Sequence, residues 1–206
     1  MYAVPDLPGD GIHRCEETIR RSRFIVTLAH ASSIDAARSF VESIRQEFPD
    51  ATHNCWAFAA GPPGDTNRIG YSDDGEPHGT AGRPMLAVLL HGSVGELAAV
   101  VTRYFGGIKL GTGGLVRAYQ EMVQKGLATL PLRQHMTLAR LEVIFDYCHL
   151  SRFRRLAADH HAVVEDETFG MDVTCQILLP DMEIPAFSAA LRDATGGAVL
   201  ISQVPE

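Results

Sequence analysis

A glycine-dense segment, Arg103–Gly114, has the clearest chemical potential in this sequence. Five glycines fall within nine of its residues: Gly106, Gly107, Gly111, Gly113 and Gly114. Glycines let the backbone approach a ligand closely, and the N–H groups at a helix start attract anions. Thr112 replaces the lysine of a Walker A loop and Val116 replaces the third glycine of a dinucleotide fingerprint, so neither motif is present. The segment predicts either a tight strand-to-helix turn or a contact with phosphate or an RNA backbone.

A second segment, Ser72–Gly82, concentrates carboxylates beside a histidine. Asp73, Asp74, Glu76 and His78 lie within six residues, and such oxygen density suits a hard cation. The spacing differs from that of an EF-hand loop, and Asp-Gly and Glu-Pro are also ordinary turn pairs. We therefore take the three carboxylates as candidate binding residues without assigning a metal or a cofactor, and a plain turn stays open.

A third candidate is the pair His53 and Cys55. Residues i and i+2 of a strand share a face, with Cα atoms about 6.5–7 Å apart. A Cys–His nucleophile pair needs hydrogen-bond reach, and no third residue that would orient the histidine is evident. A packed cysteine beside a structural histidine is the simpler interpretation, with His53 retained as a candidate binding residue.

The elements that must position these segments follow from the hydrophobic periodicity. The predicted order is strand 12–20, strand 23–31, helix 34–48, strand 51–60, an extended piece near 68–71, helix 84–91, strand 97–103 and helix 114–130. Ser32 stands three residues before Asp35 and is the expected N-cap of the first helix. The two chemically interesting segments are thus the long polar connection after the third strand and the turn before the last helix.

The second half of the chain has a different order. A linker is expected at Pro131–Met136, followed by strand 137–146, helix 150–160, strand 162–168, strand 171–179, helix 182–194 and strand 198–204. This βαββαβ order is typical of a ferredoxin-like domain. We predict an α+β protein with two domains, residues 1–134 and 135–206.

Composition and charge limit the function classes. The net charge is −7, divided as −1 over residues 1–135 and −6 over residues 136–206, which disfavours generic nucleic-acid binding by the whole surface. RNA contact would need a local patch of the first half, formed by Arg20, Arg21 and Arg23 or by Arg103, Lys109 and Arg117, and solvated surface is the simpler interpretation of both groups.

The compartment and the cysteines give further expectations. No apolar run approaches a membrane span, and the first residues lack a secretory pattern. No cysteine pair has C-x-x-C spacing, which argues against a zinc ribbon. We expect a cytoplasmic protein without a membrane partner or DNA specificity.

Taken together, these segments resemble the YigZ/IMPACT family. The family signature fits without a gap at Gly82, Met85, Leu86, Leu89, Val94, Val100, Val101, Arg103, Tyr104, Phe105, Gly106, Gly107, Leu110 and Gly111. The blocks Ser22–Phe24, His53–Cys55 and Ser72–Pro77 are also similar to the family, and the resemblance covers nearly the whole chain.

The resemblance implies more about fold than the residues alone do. The first domain should be a two-layer α/β sandwich similar to domain IV of elongation factor G, and the second should be similar to domain V of that factor. Eukaryotic relatives regulate translation initiation by binding proteins. The implied function is a translation-linked regulatory protein that contacts RNA, the ribosome or a translation-regulating protein, and this interpretation is favoured over an enzyme.

The resemblance and the residue chemistry together suggest one binding surface. Aromatic and arginine side chains can stack bases and hold phosphates, so Arg103, Tyr104 and Lys109 with the following glycines are its expected members, and Arg23 lies nearby if the strands pair in sequence. An enzyme that binds a small phosphorylated molecule is the alternative. It would cradle phosphate on Gly111–Gly114 and hold Mg²⁺ on Asp73, Asp74 and Glu76, or use Cys55 as a nucleophile.

Overall fold

The computed structural model describes residues 1–8 and 11–204, and these divide into two compact units. The first unit runs from Tyr2 to His135, and the second consists of Met1 and the residues from Met136 onward. The described residues form five helices and eleven strands in three sheets, which confirms the α+β class. No helix in these ranges is long and apolar enough to cross a membrane.

The first unit is built on a five-stranded antiparallel sheet in the order β2-β3-β6-β4-β5. The strands of the unit are β1 (Tyr2–Pro5), β2 (Ile12–Ile19), β3 (Ser22–His30), β4 (His53–Ala59), β5 (Ile69–Ser72), β6 (Leu97–Tyr104) and β7 (Leu132–His135). Its helices are α1 (Ile34–Glu47), α2 (Gly82–His91) and α3 (Thr112–Thr129). Each predicted strand and helix of this half is present within a few residues of its expected bounds.

Helices cover both faces of this sheet because its central strand is apolar on both sides. Successive strand residues point to opposite faces, so Val100 of β6 packs with Ile44 of α1 while Val101 packs with Tyr119 of α3. The second helix packs on the same side as α3. The sheet thus carries α2 and α3 on one face, with α1 added on the other.

The N-cap of α1 lies one residue later than the sequence suggests. The hydroxyl of Ser33, not Ser32, accepts a hydrogen bond from the backbone N–H of Ala36 at 3.1 Å. Ser33 has extended backbone angles, as an N-cap residue requires. The capping-box spacing from Ser32 to Asp35 was therefore misleading.

The expected linker at Pro131–Met136 is wrong over most of its length. Leu132–His135 forms β7 and pairs antiparallel with β1, so that Tyr2 lies opposite His135. The Tyr2 hydroxyl also donates to the Glu96 carboxylate at 2.7 Å. This two-stranded ribbon joins the first and last strands of the first unit. Because the paired residues are so distant in sequence, no local sequence pattern predicts the pairing.

The second unit has the predicted ferredoxin-like arrangement. Its elements are β8 (Leu138–Phe145), α4 (Leu150–Asp159), β9 (Val163–Phe169), β10 (Val173–Pro180), α5 (Ile184–Ala194) and β11 (Val199–Gln203). The antiparallel order β11-β8-β10-β9 places the first and third strands at the centre. Alternate residues of β8 and β10 face Phe153 of α4 and Phe187 of α5, which form one core.

Candidate functional site

The glycine-dense loop, the acidic segment and His53 meet at one cleft of the first unit. This cleft, called the loop cleft below, has a volume of about 430 Å³. Its wall includes His53 on β4, Glu76 and Pro77 of the acidic segment, and the stretch from Lys109 to Thr112. A larger groove of about 590 Å³ lies along β8 of the second unit, but none of the predicted site residues lines it. The loop cleft is therefore the best candidate site.

Sheet register brings these residues together. Arg103 near the end of β6 lies opposite Phe24 on β3 and opposite His53 on β4. The loop that follows β6 leads directly into α3, whose N-cap residue Gly111 lines the cleft. Three segments distant in sequence thus lie at the same end of the central strands β6 and β4.

Arg103 is buried, which corrects its predicted place on an open binding surface. Its guanidinium donates to the Glu76 carboxylate at 2.5 Å and to the Ser22 hydroxyl at 3.2 Å. The guanidinium carbon lies 5.4 Å from the Phe24 ring centroid and 5.6 Å from that of Phe105. The positive charge is compensated inside the protein, so it cannot serve as a free phosphate contact.

Glu76 forms the centre of a buried polar network. The same carboxylate oxygen that receives Arg103 also accepts the Tyr119 hydroxyl at 2.8 Å, and its second oxygen lies 3.8 Å from His53 Nε2. Burial raises the pKa of Tyr119 well above its ordinary value, and the nearby Cys55 and Glu76 raise it further. Tyr119 is therefore a neutral phenol whose hydroxyl donates a hydrogen bond to Glu76.

Cys55 is a packed thiol and not a nucleophile. Its Sγ lies 2.9 Å from the Asp73 carbonyl oxygen and 3.3 Å from the Tyr119 hydroxyl. Burial raises the pKa of Cys55 far above its ordinary value, with a smaller contribution from nearby carboxylates. The thiolate that nucleophilic catalysis needs is thus disfavoured, which removes the cysteine variant of the enzyme alternative.

His53 is held in one orientation at the cleft wall. Its Nδ1 lies 2.9 Å from the Asp74 carbonyl oxygen, which can only accept, so Nδ1 carries the proton. Nε2 is therefore the acceptor nitrogen of the neutral ring, on the side of Glu76. The predicted role of His53 as a binding residue stays open, since the ring lines the cleft with this nitrogen available.

Asp73 and Asp74 do not line the loop cleft. The Asp73 carboxylate accepts three backbone N–H groups, from Gly79, Ala81 and Gly82, and so holds the start of α2. Burial alone would raise the pKa of Asp73, but these three donors outweigh it and lower the pKa. Among the described residues, no three His, Cys, Asp or Glu side chains converge as metal ligands.

Asp74 has a comparable structural role. Its carboxylate accepts the backbone N–H of Asn54 at 2.7 Å and the Arg45 guanidinium at 2.6 Å. Both carboxylates, like that of Glu76, are therefore committed to protein donors. The Mg²⁺ site expected for the enzyme alternative is therefore not formed. The carboxylates of Asp73, Asp74 and Glu76 each accept hydrogen bonds from different protein groups and do not converge on one point.

The five glycines of the loop occupy positions with different steric and conformational requirements. A Cβ at Gly106 would collide with the backbone carbonyl of Arg21, so close packing requires this glycine. Gly107 and Gly111 have φ values of 86° and 75°, which L-residues rarely adopt. Gly113 has a negative φ and open space around its missing side chain, and Gly114 meets only Leu110 at 3.1 Å.

Arg23 and Tyr104 are engaged with other residues. Arg23 donates to Glu16 at 2.7 Å and stacks over the Tyr104 ring at 5.8 Å, and the Tyr104 hydroxyl donates to Asp50 at 2.9 Å. The predicted neighbourhood of Arg23 and Tyr104 is present, since the two residues are register partners. Their polar groups are turned to protein partners at the surface.

Four other cations surround the glycine-dense loop without partners. Arg20 and Arg21 form the turn between β2 and β3, which Gly106 contacts, and Arg20 shares a cleft of about 200 Å³ with Arg117. Leu110 lines both this cleft and the loop cleft. Within residues 1–8 and 11–204 no ion pair or side-chain hydrogen bond involves the basic rim, defined here as Arg20, Arg21, Lys109 and Arg117.

Comparisons with known proteins were made at the level of family and of structure. The family model described as the Impact N-terminal domain matches residues 20–127, and a domain of unknown function, DUF1949, matches residues 143–198. The boundaries of these matches fall within the two units of the structure.

Individual relatives match most of the chain. IMPACT family member YigZ of Escherichia coli is 42% identical over 92% of this chain and 93% of its own length. An IMPACT family member of Haemophilus influenzae is 42% identical over 90% of each chain, and IMPACT family member YvyE of Bacillus subtilis is 35% identical over 88% of this chain and 83% of its own. A solved structure titled as a hypothetical protein is 40% identical, covers 100% of this chain and 98% of its own, and has a TM-score of 0.67.

Proposed function

This chain belongs to the IMPACT family, and from that premise we propose that it is a cytoplasmic binding protein of the translation machinery that contacts ribosomal RNA through the basic rim. The observation that carries the proposal is that four cations, without a side-chain partner in the described residues, lie in or beside the glycine-dense loop and the turn that it contacts. Arg20 and Arg117 are far apart in sequence, yet they line one small cleft, where they outnumber the single carboxylate in its lining, Glu121. In a chain of net charge −7, such a local patch can attract a polyanion where the whole surface cannot.

The backbone of the β2–β3 turn supports this proposal. Arg20 and Arg21 have φ values of 45° and 67°, a conformation that two-residue hairpin turns usually assign to Asn-Gly. Non-glycine residues in this region cost about 1 kcal/mol or more each. Two arginines occupy positions where glycine would be less strained, and a binding role for their guanidinium groups would account for this choice.

The loop between the rim and the cleft adds an aromatic ring. Phe105 is 46% exposed although it is large and apolar, and it lines the loop cleft together with Lys109. An exposed ring beside cations is the combination that binds single-stranded RNA by stacking and phosphate contact. This surface keeps Lys109 and combines it with arginines from both patches that the sequence suggested. It adds Phe105 and leaves out Arg23, Arg103 and Tyr104, whose polar groups have protein partners.

Of the three features that the enzyme alternative could use, which are a Mg²⁺ site, a Cys55 nucleophile and a phosphate cradle, the structure is incompatible with the first two. Its Mg²⁺ ligands are bound to protein donors, and Cys55 is a buried thiol. The remaining part is a possible phosphate cradle at the start of α3. That part describes the binding of an anion and does not by itself favour catalysis.

The proposal is tested by sedimentation of the tagged protein with ribosomes in a lysate at low and moderate salt. We expect salt-sensitive co-sedimentation, because phosphate contacts release counterions. In Arg20→Glu/Arg117→Glu, association should fall by about tenfold or more and its salt dependence should weaken by about one to two contacts.

The matched control is Arg38→Glu/Arg155→Glu, which makes the same change of charge at two exposed arginines on α1 and α4. This control should sediment as the unaltered protein does. Equal loss in both double variants, or protein left at the top of the gradient in both salts, would remove the proposal. Association that survives RNase treatment would point to a translation-regulating protein as the partner instead of RNA.

A further inference from the structure

We propose that the loop cleft binds a nucleoside monophosphate, with the phosphate at the start of α3 and the base against Phe105. The shared chemistry is a phosphate monoester on a nucleoside, whether a free nucleotide or the phosphorylated end of an RNA chain. The inference goes beyond the proposed function because the start of α3 and the apolar wall of the cleft lie outside the basic rim, and only Lys109 and Phe105 would serve both.

The start of α3 offers donors that no side chain uses. The first intrahelical bond runs from the Leu115 N–H to the Gly111 carbonyl at 2.9 Å, so the N–H groups of Thr112, Gly113 and Gly114 precede it. Gly111 is the N-cap residue and supplies no side-chain hydrogen bond. An 18-residue helix with uncapped N–H groups at a cleft wall favours a negative charge there.

A buried nitrogen at the same cleft also lacks a partner. The Nε–H of Arg103 is inaccessible to solvent and forms no hydrogen bond, one of only two such side-chain atoms in the described residues. The Arg103 side chain is 5% exposed and lines the cleft. Buried donors are nearly always satisfied in folded proteins, so the unsatisfied Nε–H marks this wall of the cleft as a place where a polar partner is missing.

The charges that line the cleft leave a positive surplus. Glu76 is the one carboxylate in its wall, and Arg103 compensates it by a direct ion pair. Lys109 also lines the cleft and has no ion-pair partner in the described residues. An anion that enters meets an ammonium group and a helix start, with its nearest carboxylate already neutralised.

The remaining wall favours a base over inorganic phosphate alone. Leu110, Leu115 and Pro77 give the cleft an apolar side, and Phe105 supplies an aromatic ring whose other neighbour is the Arg103 guanidinium. The volume of about 430 Å³ falls within the range of small-molecule sites. A planar base stacked on an exposed ring fits this side of the cleft.

The test is a titration of the ¹⁵N-labelled full chain with adenosine monophosphate, adenosine and inorganic phosphate, followed by amide chemical shifts. We expect saturable shifts at Thr112, Gly113 and Gly114 with the nucleotide. Adenosine and inorganic phosphate should each bind at least about tenfold more weakly, since each lacks one half of the contacts.

Two variants separate binding from folding. Gly113→Ala should weaken nucleotide binding about tenfold, because a methyl group would occupy the space beside the phosphate, and it should leave the spectrum dispersed. Gly170→Ala is the matched control, since Gly170 lies in the β9–β10 hairpin of the second unit with only the Asp172 carbonyl near its missing Cβ. This control should bind as the unaltered protein does.

A trinucleotide with and without a 5′-phosphate distinguishes the sources. Shifts at the start of α3 with adenosine monophosphate support a free nucleotide, and shifts only with the phosphorylated trinucleotide support an RNA end. The proposal is overturned if no probe moves these amides at millimolar concentration, or if Gly113→Ala and Gly170→Ala bind every probe equally. Ribosome sedimentation of Gly113→Ala should stay unchanged, so failure here leaves the basic rim untouched.

Discussion

Arg103 with Glu76 in the first unit and Arg154 with Glu167 in the second are the same chemical pair in two different surroundings. The side chains of the first pair are 5% and 3% exposed, and those of the second are 57% and 22% exposed. Water screens the second pair and can replace either partner. The first pair has lost its water, so each charge depends on the other. Of these two ion pairs, only the buried one at the cleft should therefore contribute strongly to the stability of its unit.

The largest expected effect comes from breaking the buried pair. Arg103→Leu leaves the Glu76 carboxylate buried with only Tyr119 as a donor, and should lower the free energy of unfolding of the first unit by about 3–5 kcal/mol. Amide hydrogen exchange at β6 and β8 measures the two units separately. Arg154→Leu is the matched control in the second unit and should leave exchange at β8 unchanged. Equal losses in both variants would abolish the comparison.

A smaller effect is expected at Asp73, whose carboxylate is held by backbone donors instead of a cation. Asp73→Asn should lower stability at pH 7 by about 2 kcal/mol, because an amide cannot replace a carboxylate that accepts three N–H groups. The folded pKa of Asp73 lies below its unfolded value near 3.9. Its contribution is therefore complete above that value and is lost as pH falls through the folded pKa.

Urea unfolding of Asp73→Asn and of the unaltered chain at pH 7 and near pH 3 checks this expectation. The difference between the two proteins should shrink on acidification, because the carboxyl of the unfolded chain takes up a proton first and the stabilisation from the charged folded form falls accordingly. A difference that is the same at both pH values would mean that the carboxylate charge has no part in holding α2.

The smallest effect has the opposite sign. Gly113→Ala should stabilise the first unit by about 0.5–1 kcal/mol, since Gly113 lies in the first turn of α3 with open space at its missing Cβ. Thermal unfolding measures the gain. Gly106→Ala, seven residues earlier, should instead destabilise the unit, because its Cβ meets the Arg21 carbonyl. A loss of stability in both variants would show that Gly113 also has a packing role.

Sequence patterns predicted the secondary-structure order of the second unit almost completely, because each of its strands and helices has a clear hydrophobic periodicity of its own. Alternate residues of β8 and β10 face the core, and the aromatic residues Phe153 and Phe187 recur on helix faces that meet them. Each element carries its own period, so the order of elements follows from reading along the chain.

The site of the first unit could be predicted only in part. The two unusual loops and His53 were evident from composition, but the burial of Arg103 was not, since every residue of β6 before Tyr104 is buried and alternation gives no face to choose. The partners Ser22 and Tyr119 lie 81 residues before Arg103 and 43 residues after Glu76. Side chains that come together only through the register of paired strands have no characteristic spacing in the sequence, so a sequence pattern cannot predict their contact.

The pairing of β1 with β7 has a mechanical consequence. Tyr2 and His135 are direct partners, so the chain enters and leaves the first unit at one point. A pull on the two ends would load the ribbon first and open it one pair at a time, while the five-stranded sheet and its cleft carry no tension. Under such a force, the β1–β7 ribbon should therefore open before the loop cleft changes its shape.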